Sequence, residues 1–527
     1  MKKKYSLFVL ILLISFFLNG CKKESFLSEF VVETKINNSL DSSLLYEEQF
    51  RPQFHFSPKE KWMNDPNGMF YYKGIYHLFY QYYPNDIVWG PMHWGHAVSK
   101  DLIHWEHKPI ALYPDKLGYI FSGSVVVDQH NSSGLGSKEN PPLVALFTYL
   151  DIEIEKKGQI NTQSQGLAFS IDNGETWNKY HGNPIIANST KKDFRDPKCF
   201  WNETTKQWNM VLVAGDRAEF YSSDNLIDWI KTGEFGEEYG AHGGVWECPD
   251  LLRFNVGGTE KWVLLISINP GAPLGGSGTQ YFIGDFDGKT FTTNQKEAKW
   301  LDFGTDNYAG VTYSNVPNND KIFIGWMGNW QYAQKTPTKK WRSAMTLPRK
   351  LVLEKFQNQY ILKNQPYEIP KSSIESEFTK DNLNIEKNSP ITIQYAHLNQ
   401  SQITFNSKSK HLKVIFSNTK NEKLVIEFDE IKKSITIDRT NSGIIDFEEN
   451  FGKKPHVIPM VNGWEENNQI ELFVDQSSVE MFINDGRYSF TEIMFPTEPY
   501  TKLTFESESG GKIIDISINY FKSIWKK

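Results

Sequence analysis

From about residue 54 to residue 350 the chain is broken every few positions by Gly, Asn, Asp or Pro, and short apolar or alternating runs stand between the breaks. Gly74–Tyr80, Pro142–Thr148, Trp208–Val213 and Trp262–Ser267 are the clearest of these runs. Runs of this length, rich in β-branched and aromatic residues and bounded by turn formers, read as strands. No helix-period segment with capping residues stands out among them, so the sequence predicts an all-β body.

A weak internal repeat narrows the choice. Ser99-Lys-Asp101 is followed by Trp105, Ser170-Ile-Asp172 by Trp177, and Ser222-Ser-Asp224 by Trp229, with a looser copy at Gly284-Asp-Phe-Asp-Gly288 and Phe291. Spacings of roughly 50 to 70 residues suit four-stranded propeller blades. About five blades are therefore expected over residues 51–350, with the Asp and Trp residues fixing hairpins rather than doing chemistry. After Leu347-Pro348-Arg349-Lys350-Leu351 the texture changes to Lys- and Asn-rich strands, including Ile470–Asp475 and Val479–Ile483, closed by a turn at Asn484-Asp485-Gly486. That is a strong hairpin signal. A second antiparallel unit, a β-sandwich, is expected from 365 to 527, and a chain of 527 residues has room for both.

The N-terminus reads as an address. Lys2, Lys3 and Lys4 precede the apolar stretch Leu7–Leu18, which is too short to favour a membrane span and is laid out as an export signal. Leu18-Asn19-Gly20-Cys21 resembles a bacterial lipobox, in which cleavage before the cysteine is followed by its lipidation. Residues 1–21 are thus expected to be a lipoprotein signal peptide, Cys21 the acylated residue and residues 22–50 a polar tether. The protein would be an exported lipoprotein held on a membrane surface and associated with the outer membrane. Cys199 and Cys248 are too few for a disulfide framework and are expected to be free thiols. With 57 basic against 63 acidic residues and no long basic run, nucleic acid is not an expected partner. The 16 Trp residues suit sheet cores and sugar-binding clefts equally well, so they decide nothing alone.

Three acidic segments are set apart from the strands: Trp62-Met-Asn-Asp65-Pro-Asn-Gly68, Phe194-Arg-Asp196-Pro-Lys198 and Trp246-Glu247-Cys-Pro-Asp250. Each joins a carboxylate to an aromatic and a proline. Proline restricts the residue before it to extended conformations, so Asp65 and Asp196 are expected to be held rigidly at strand ends. In a propeller, inner strands of different blades bring all three carboxylates to one end of the channel. His93 and His96 lack a third ligand nearby and read as pocket-ordering residues, not a metal pair. Gly275-Gly-Ser-Gly278 lacks the lysine and helix of a phosphate loop and reads as a turn.

Taken together, the three segments resemble the pattern of the fructan-hydrolase and invertase family of glycoside hydrolases, which has W-M-N-D-P-N-G, R-D-P and E-C segments in this order. Trp89–His96, Phe121–Ser124 and Asn269–Thr279 extend the resemblance over most of residues 54 to 350. It implies a five-bladed propeller followed by a β-sandwich, fructosyl transfer to water with retained configuration, and no metal or other cofactor. By the same resemblance Asp65 would be the nucleophile and Glu247 the acid and base. Asp196 would bind fructose hydroxyls and favour positive charge on the ring, and Arg195 would orient hydroxyls. Asn64, Gln81, Trp89, Ser124 and Asp250 are candidate sugar contacts, and Trp62 and Trp330 candidate stacking platforms. The implied partner is a fructan such as levan or inulin, with terminal fructose the expected product. Endo cleavage, an inverting arabinan or xylan hydrolase, and a non-catalytic glycan-binding lipoprotein are the competing readings.

Overall fold

The apolar runs become strands: Gln207–Ala214 and Thr259–Asn269 contain two of them whole, and Ile75–Tyr83 and Leu143–Leu150 contain the other two but for their first residues, Gly74 and Pro142. The computed structural model describes residues 45–460 and 467–525, so the export signal, Cys21 and nearly all of the tether lie outside the described residues. Among those described, the one α-helix is the short Ile152–Lys156. None is long and apolar enough to cross a membrane.

Five sheets follow one another between Lys61 and Pro366, all antiparallel apart from one short parallel pairing in the first. The innermost strand of each is β1 (Lys61–Tyr72), β2 (Tyr119–Val127), β3 (Phe194–Asn202), β4 (Val245–Val256) and β5 (Tyr308–Thr312). Each packs against the next, and β5 packs against β1, so the sheets form the closed ring of a propeller. Ring closure is tightened where Trp341–Arg342 pairs with Lys61 and Trp62 and joins the first sheet. The last sheet is completed by Arg349–Phe356 and Gln359–Pro366, which places the end of the propeller at 366 and not at 350. The change in sequence texture at 347–351 is therefore a change within the last sheet, where outer strands face solvent.

The repeated acidic turns do the structural work expected of them. Asp101 Oδ1 accepts the backbone N–H groups of Ile103 and His104 at 3.0 and 2.8 Å, and Asp172 Oδ1 accepts that of Thr176 at 2.9 Å. In the third copy the capping residue is Asn225, which accepts from Ile227 and Asp228, so the repeat is registered one residue later than Asp224.

The C-terminal unit is two six-stranded antiparallel sheets, packed face to face around Phe405, Val414, Ile426 and Leu472. Strand Ser434–Asn441 alternates buried and part-exposed residues, the period of a sheet with one face in the core. The Asn484-Asp485-Gly486 turn takes positive φ throughout and joins β7 (Ser478–Ile483) to β8 (Tyr488–Ile493); β6 (Asn468–Asp475) reaches β7 by way of Gln476 and Ser477. At Gly486 a Cβ would lie 2.3 Å from the carbonyl oxygen of Asn364. The sandwich thus approaches the last propeller strand at a point that tolerates no side chain.

The tether ends sooner than expected. Tyr46 stacks on Trp525 with ring centroids 4.0 Å apart, and Phe50 is buried.

Candidate active site

Every inner strand carries a bulge in which two residues face one on the neighbouring strand. Asn64-Asp65 lie opposite Gln81, Phe121-Ser122 opposite Thr148, Asp196-Pro197 opposite Leu212, Cys248-Pro249 opposite Ile266, and Ala309-Gly310 opposite Gly325. A bulge re-aims side chains that strict alternation would send elsewhere. Asp196, Cys248 and Ala309 take φ of 61°, 46° and 54°. Asp196 and Cys248 both precede proline, so the extended conformation expected of Asp196 is not adopted. Its rigidity comes from a left-handed bulge residue held by its surroundings.

These bulges bring the three carboxylates together. Asp65 Oδ2 accepts Ser122 Oγ–H at 2.8 Å, and its Oδ1 accepts Asn64 Nδ2–H at 3.0 Å. The Asp196 N–H donates to Thr148 Oγ1 at 3.0 Å, and Asp196 Oδ2 accepts the Cys248 N–H at 2.9 Å. Arg195 Nη2 donates to Glu247 Oε1 at 2.8 Å and its Nη1 to Asp193 Oδ1 at 2.9 Å. Tyr308 donates its O–H to Glu247 Oε2. Cys248 Sγ lies 3.5 Å from Asp65 Oδ2 and 3.6 Å from Asp196 Oδ2, so all three acidic segments meet around it.

Electrostatics separates their roles. Burial, and then the charge of Glu247, push Asp65 up to about 6. Asp196 is pushed up to about 7 by burial and by Glu247 and Asp65, against the pull of Arg195. Burial and the nearby Glu247 hold the Tyr308 phenol well above its usual range, which keeps it a donor. Asp65 is thus a carboxylate held by neutral donors, whereas Glu247 is gripped by a guanidinium and a phenol. Two unlike carboxyl groups facing one cavity are what glycoside hydrolysis requires.

The cavity measures about 320 Å3, and its lining includes Asn64, Asp65, Gln81, Trp89, Arg195, Asp196, Glu247 and Trp330. Among the described residues Gln81 Nε2 is buried with no hydrogen-bond partner. Three of the expected contacts lie elsewhere. Trp62 is fully buried and donates Nε1–H to Asn64 Oδ1 at 2.8 Å, so it props a cavity residue instead of stacking on a ligand. Ser124 donates to the Pro197 carbonyl and accepts the Cys199 N–H, tying β2 to β3. Asp250 accepts from Thr312 beyond the site. Ser122, not Ser124, is the serine at Asp65, because the bulge at Phe121-Ser122 shifts the alternation. Tyr308, Gln163 and Gln334 carry no motif, and Asp193, next to the Phe194-Arg-Asp196 segment, carries no signal of its own; the fold brings them in. His93 Nδ1 meets the Pro91 carbonyl and His96 Nε2 meets His77 Nδ1, so the two histidines turn to different partners. Cys199 and Cys248 are buried free thiols.

Comparison with known proteins agrees with this architecture over residues 55–522. Residues 55–366 match the Glycosyl hydrolases family 32 N-terminal domain and residues 367–522 the family 32 C-terminal domain. The chain is 43% identical to the levanase of Bacillus subtilis over 93% of this chain and 72% of that protein. It is 38% identical to an extracellular exo-inulinase of Aspergillus awamori over 91% of this chain and 96% of that one. The crystal structure of exo-inulinase from Aspergillus awamori superposes with a TM-score of 0.83 at 36% identity, covering 91% of this chain and all of that chain. A fructofuranosidase from Schwanniomyces occidentalis complexed with fructose has a TM-score of 0.80 at 31% identity, covering 92% and 100%. The chain belongs to glycoside hydrolase family 32, a propeller with an appended β-sandwich.

Proposed function

We propose that the protein is a retaining β-fructofuranosidase that removes terminal fructose from levan or inulin. The pairing of Asp65, held by neutral donors, with Glu247, held by Arg195 and Tyr308, at one small cavity carries this reading. Asp65 attacks the anomeric carbon while Glu247 gives its proton to the departing glycosidic oxygen, leaving a fructosyl ester on Asp65. Glu247 then takes a proton from water as the water oxygen bonds to the same carbon and the ester bond breaks, which frees fructose and regenerates both groups. Asp196 binds ring hydroxyls and offsets the positive charge that develops on the sugar. Exo action is supported by a cavity near the lower end of small-molecule site volumes. Two of the loops lining it are pinned together where the Trp89 N–H donates to Gln334 Oε1 at 3.2 Å. The relatives called levanase and exo-inulinase support the fructan class.

A product time course on levan, inulin and sucrose tests the reading. Free fructose is expected from the first time point, and Asp65→Asn is expected to lower kcat roughly 10^4-fold or more, as losing a covalent catalyst does. Early oligosaccharides would replace exo with endo action, and undiminished turnover by Asp65→Asn would remove the assigned nucleophile.

We infer further that the chain is exported and anchored through acylated Cys21, at the outer membrane. The lipobox-like segment supports the anchor, and relatives described as extracellular support export. Labelled palmitate is expected in the wild-type protein and not in Cys21→Ala; label retained by the variant, or absent from both, would eliminate the anchor.

A further inference from the structure

A general acid has to hold a proton when substrate arrives, yet a guanidinium lies against Glu247, with Arg195 Nη2 donating to its Oε1 at 2.8 Å. A positive charge in contact with a carboxyl group favours the ionised form, and so does a hydroxyl that donates to it, as Tyr308 does to Oε2. The surroundings of Arg195 supply the opposing charge. Arg195 Nη1 donates to Asp193 Oδ1 at 2.9 Å, and Nε lies 3.9 Å from Asp196 Oδ2. Burial opposes the charge on Arg195, but Glu247, Asp196 and Asp193 together outweigh it, so one fixed cation is shared among three carboxylates. Glu247 and Asp196 act on the sugar, whereas Asp193 takes no part in the bond-making steps.

Asp193 is built into its place. It stands just ahead of β3 with φ of 51°, a left-handed conformation that Asp and Asn tolerate better than other residues bearing side chains. Its carbonyl accepts the Gly215 N–H at 3.2 Å, and the neighbouring Asp216 is occupied by His242 at 2.9 Å. The Asp193 side chain is 18% exposed and that of Arg195 11%, so water and salt screen the pair only lightly. Among the described residues the other cation within 4 Å of Asp193 is Lys192, at 3.9 Å and 72% exposed, where an ion pair is worth little. Gln163 Oε1, 3.4 Å from Arg195 Nη1, is neutral and offsets no charge. The other ionisable groups around Glu247 are Asp65 of β1, Cys248 of β4 and Glu155 on the loop after Leu150, and none of these pairs with Arg195.

We propose that Asp193 is a positioning residue for the acid–base step: it fixes Arg195 against Glu247 and takes up part of the guanidinium charge, so that Glu247 keeps its proton until the glycosidic oxygen departs. The inference rests on the acid–base role proposed for Glu247. Asp193→Asn keeps an acceptor for Nη1–H and the left-handed preference and removes only the charge. The basic limb of its kcat/KM profile on sucrose is expected about one pH unit below that of the wild type, while the acid limb, assigned to Asp65, keeps its place. Asp193→Ala also frees Nη1, and is expected to lower kcat about tenfold further at every pH. A basic limb left in place in Asp193→Asn, with or without a uniform loss of rate, would reduce Asp193 to a structural residue and overturn the proposal. Glu247→Gln separates the two failures. Undiminished turnover in that variant would overturn the acid–base reading itself, whereas turnover lost there beside an unmoved limb in Asp193→Asn would overturn the role of Asp193 alone.

Discussion

The role proposed for Asp65 requires an ionised carboxylate, yet its surroundings favour the neutral acid. Burial and Glu247 raise it to about 6, so kcat/KM is expected to fall tenfold per pH unit below about 6, since the acid limb of that ratio reports the free enzyme. A profile flat down to pH 4.5 would deny Asp65 that role. The same shift has a stability counterpart of definite sign. Asp65 and Asp196 are both raised in the folded protein above the ordinary value of 3.8, so the native state holds protons that the unfolded chain has released. Stability from this source is present below about pH 4 and is lost as pH rises through 6 to 7. Asp65→Asn removes the buried charge and keeps an oxygen for Ser122, so it is expected to stabilise the protein at pH 7.5. The gain is about 1–3 kcal/mol, by the free energy of one to two pKa units, and should vanish at pH 4. Melting temperatures at the two pH values measure it; a variant less stable than wild type at pH 7.5 would show that Asp65 is a structural carboxylate.

At the scale of strands, turn residues and apolar runs made the sheets legible, and three motifs made the carboxylates legible. What the sequence could not show was the bulges, because alternation counts residues and a bulge restarts the count. Ser122 and Ser124 share a face in an ideal strand, and the choice between them turned on an insertion with no sequence signature. A second insertion, at Asp196-Pro197, explains why Asp196 faces the site in a left-handed conformation that its proline neighbour argues against. Trp62 and Trp330 are equally plausible platforms by composition, and only the ring closure through Trp341–Arg342 shows that Trp62 is sealed beneath Asn64. Asp250 belonged to the right motif but stands past the bulge at Cys248-Pro249, facing Thr312. The Asn484-Asp485-Gly486 turn was recognised, but a hairpin one strand later uses it.

The propeller and the sandwich share their most buried charges. His55, ahead of β1, has Asp475 of the sandwich 2.8 Å from Nδ1 and Glu480 of β7 2.8 Å from Nε2, and Asp475 also accepts the N–H groups of Gln53, Phe54 and His55. Arg349 of the last propeller sheet bridges Asp302 and Glu480. A second cluster joins Arg439 to Asp306 and Glu492, with His456 beside Glu492. Breaking one member of such a cluster leaves the others buried and unpaired, which costs about 3–5 kcal/mol. Neither unit can expose these groups alone, so one cooperative unfolding transition is expected for the whole described body. Burial opposes charge on His55, but its two carboxylates outweigh it and hold the ring up to about 9. Its unfolded value is near 6.5, so the stability it supplies is complete below about pH 6.5 and is lost as pH rises through 9, about 3 kcal/mol in all. His55→Gln should therefore be less stable than wild type at pH 6.5, and the difference should shrink by pH 10. Calorimetric scans at the two pH values test both parts, since a constant difference would place the pH dependence in other groups, and two resolved transitions would mean that the sandwich is a separable attachment.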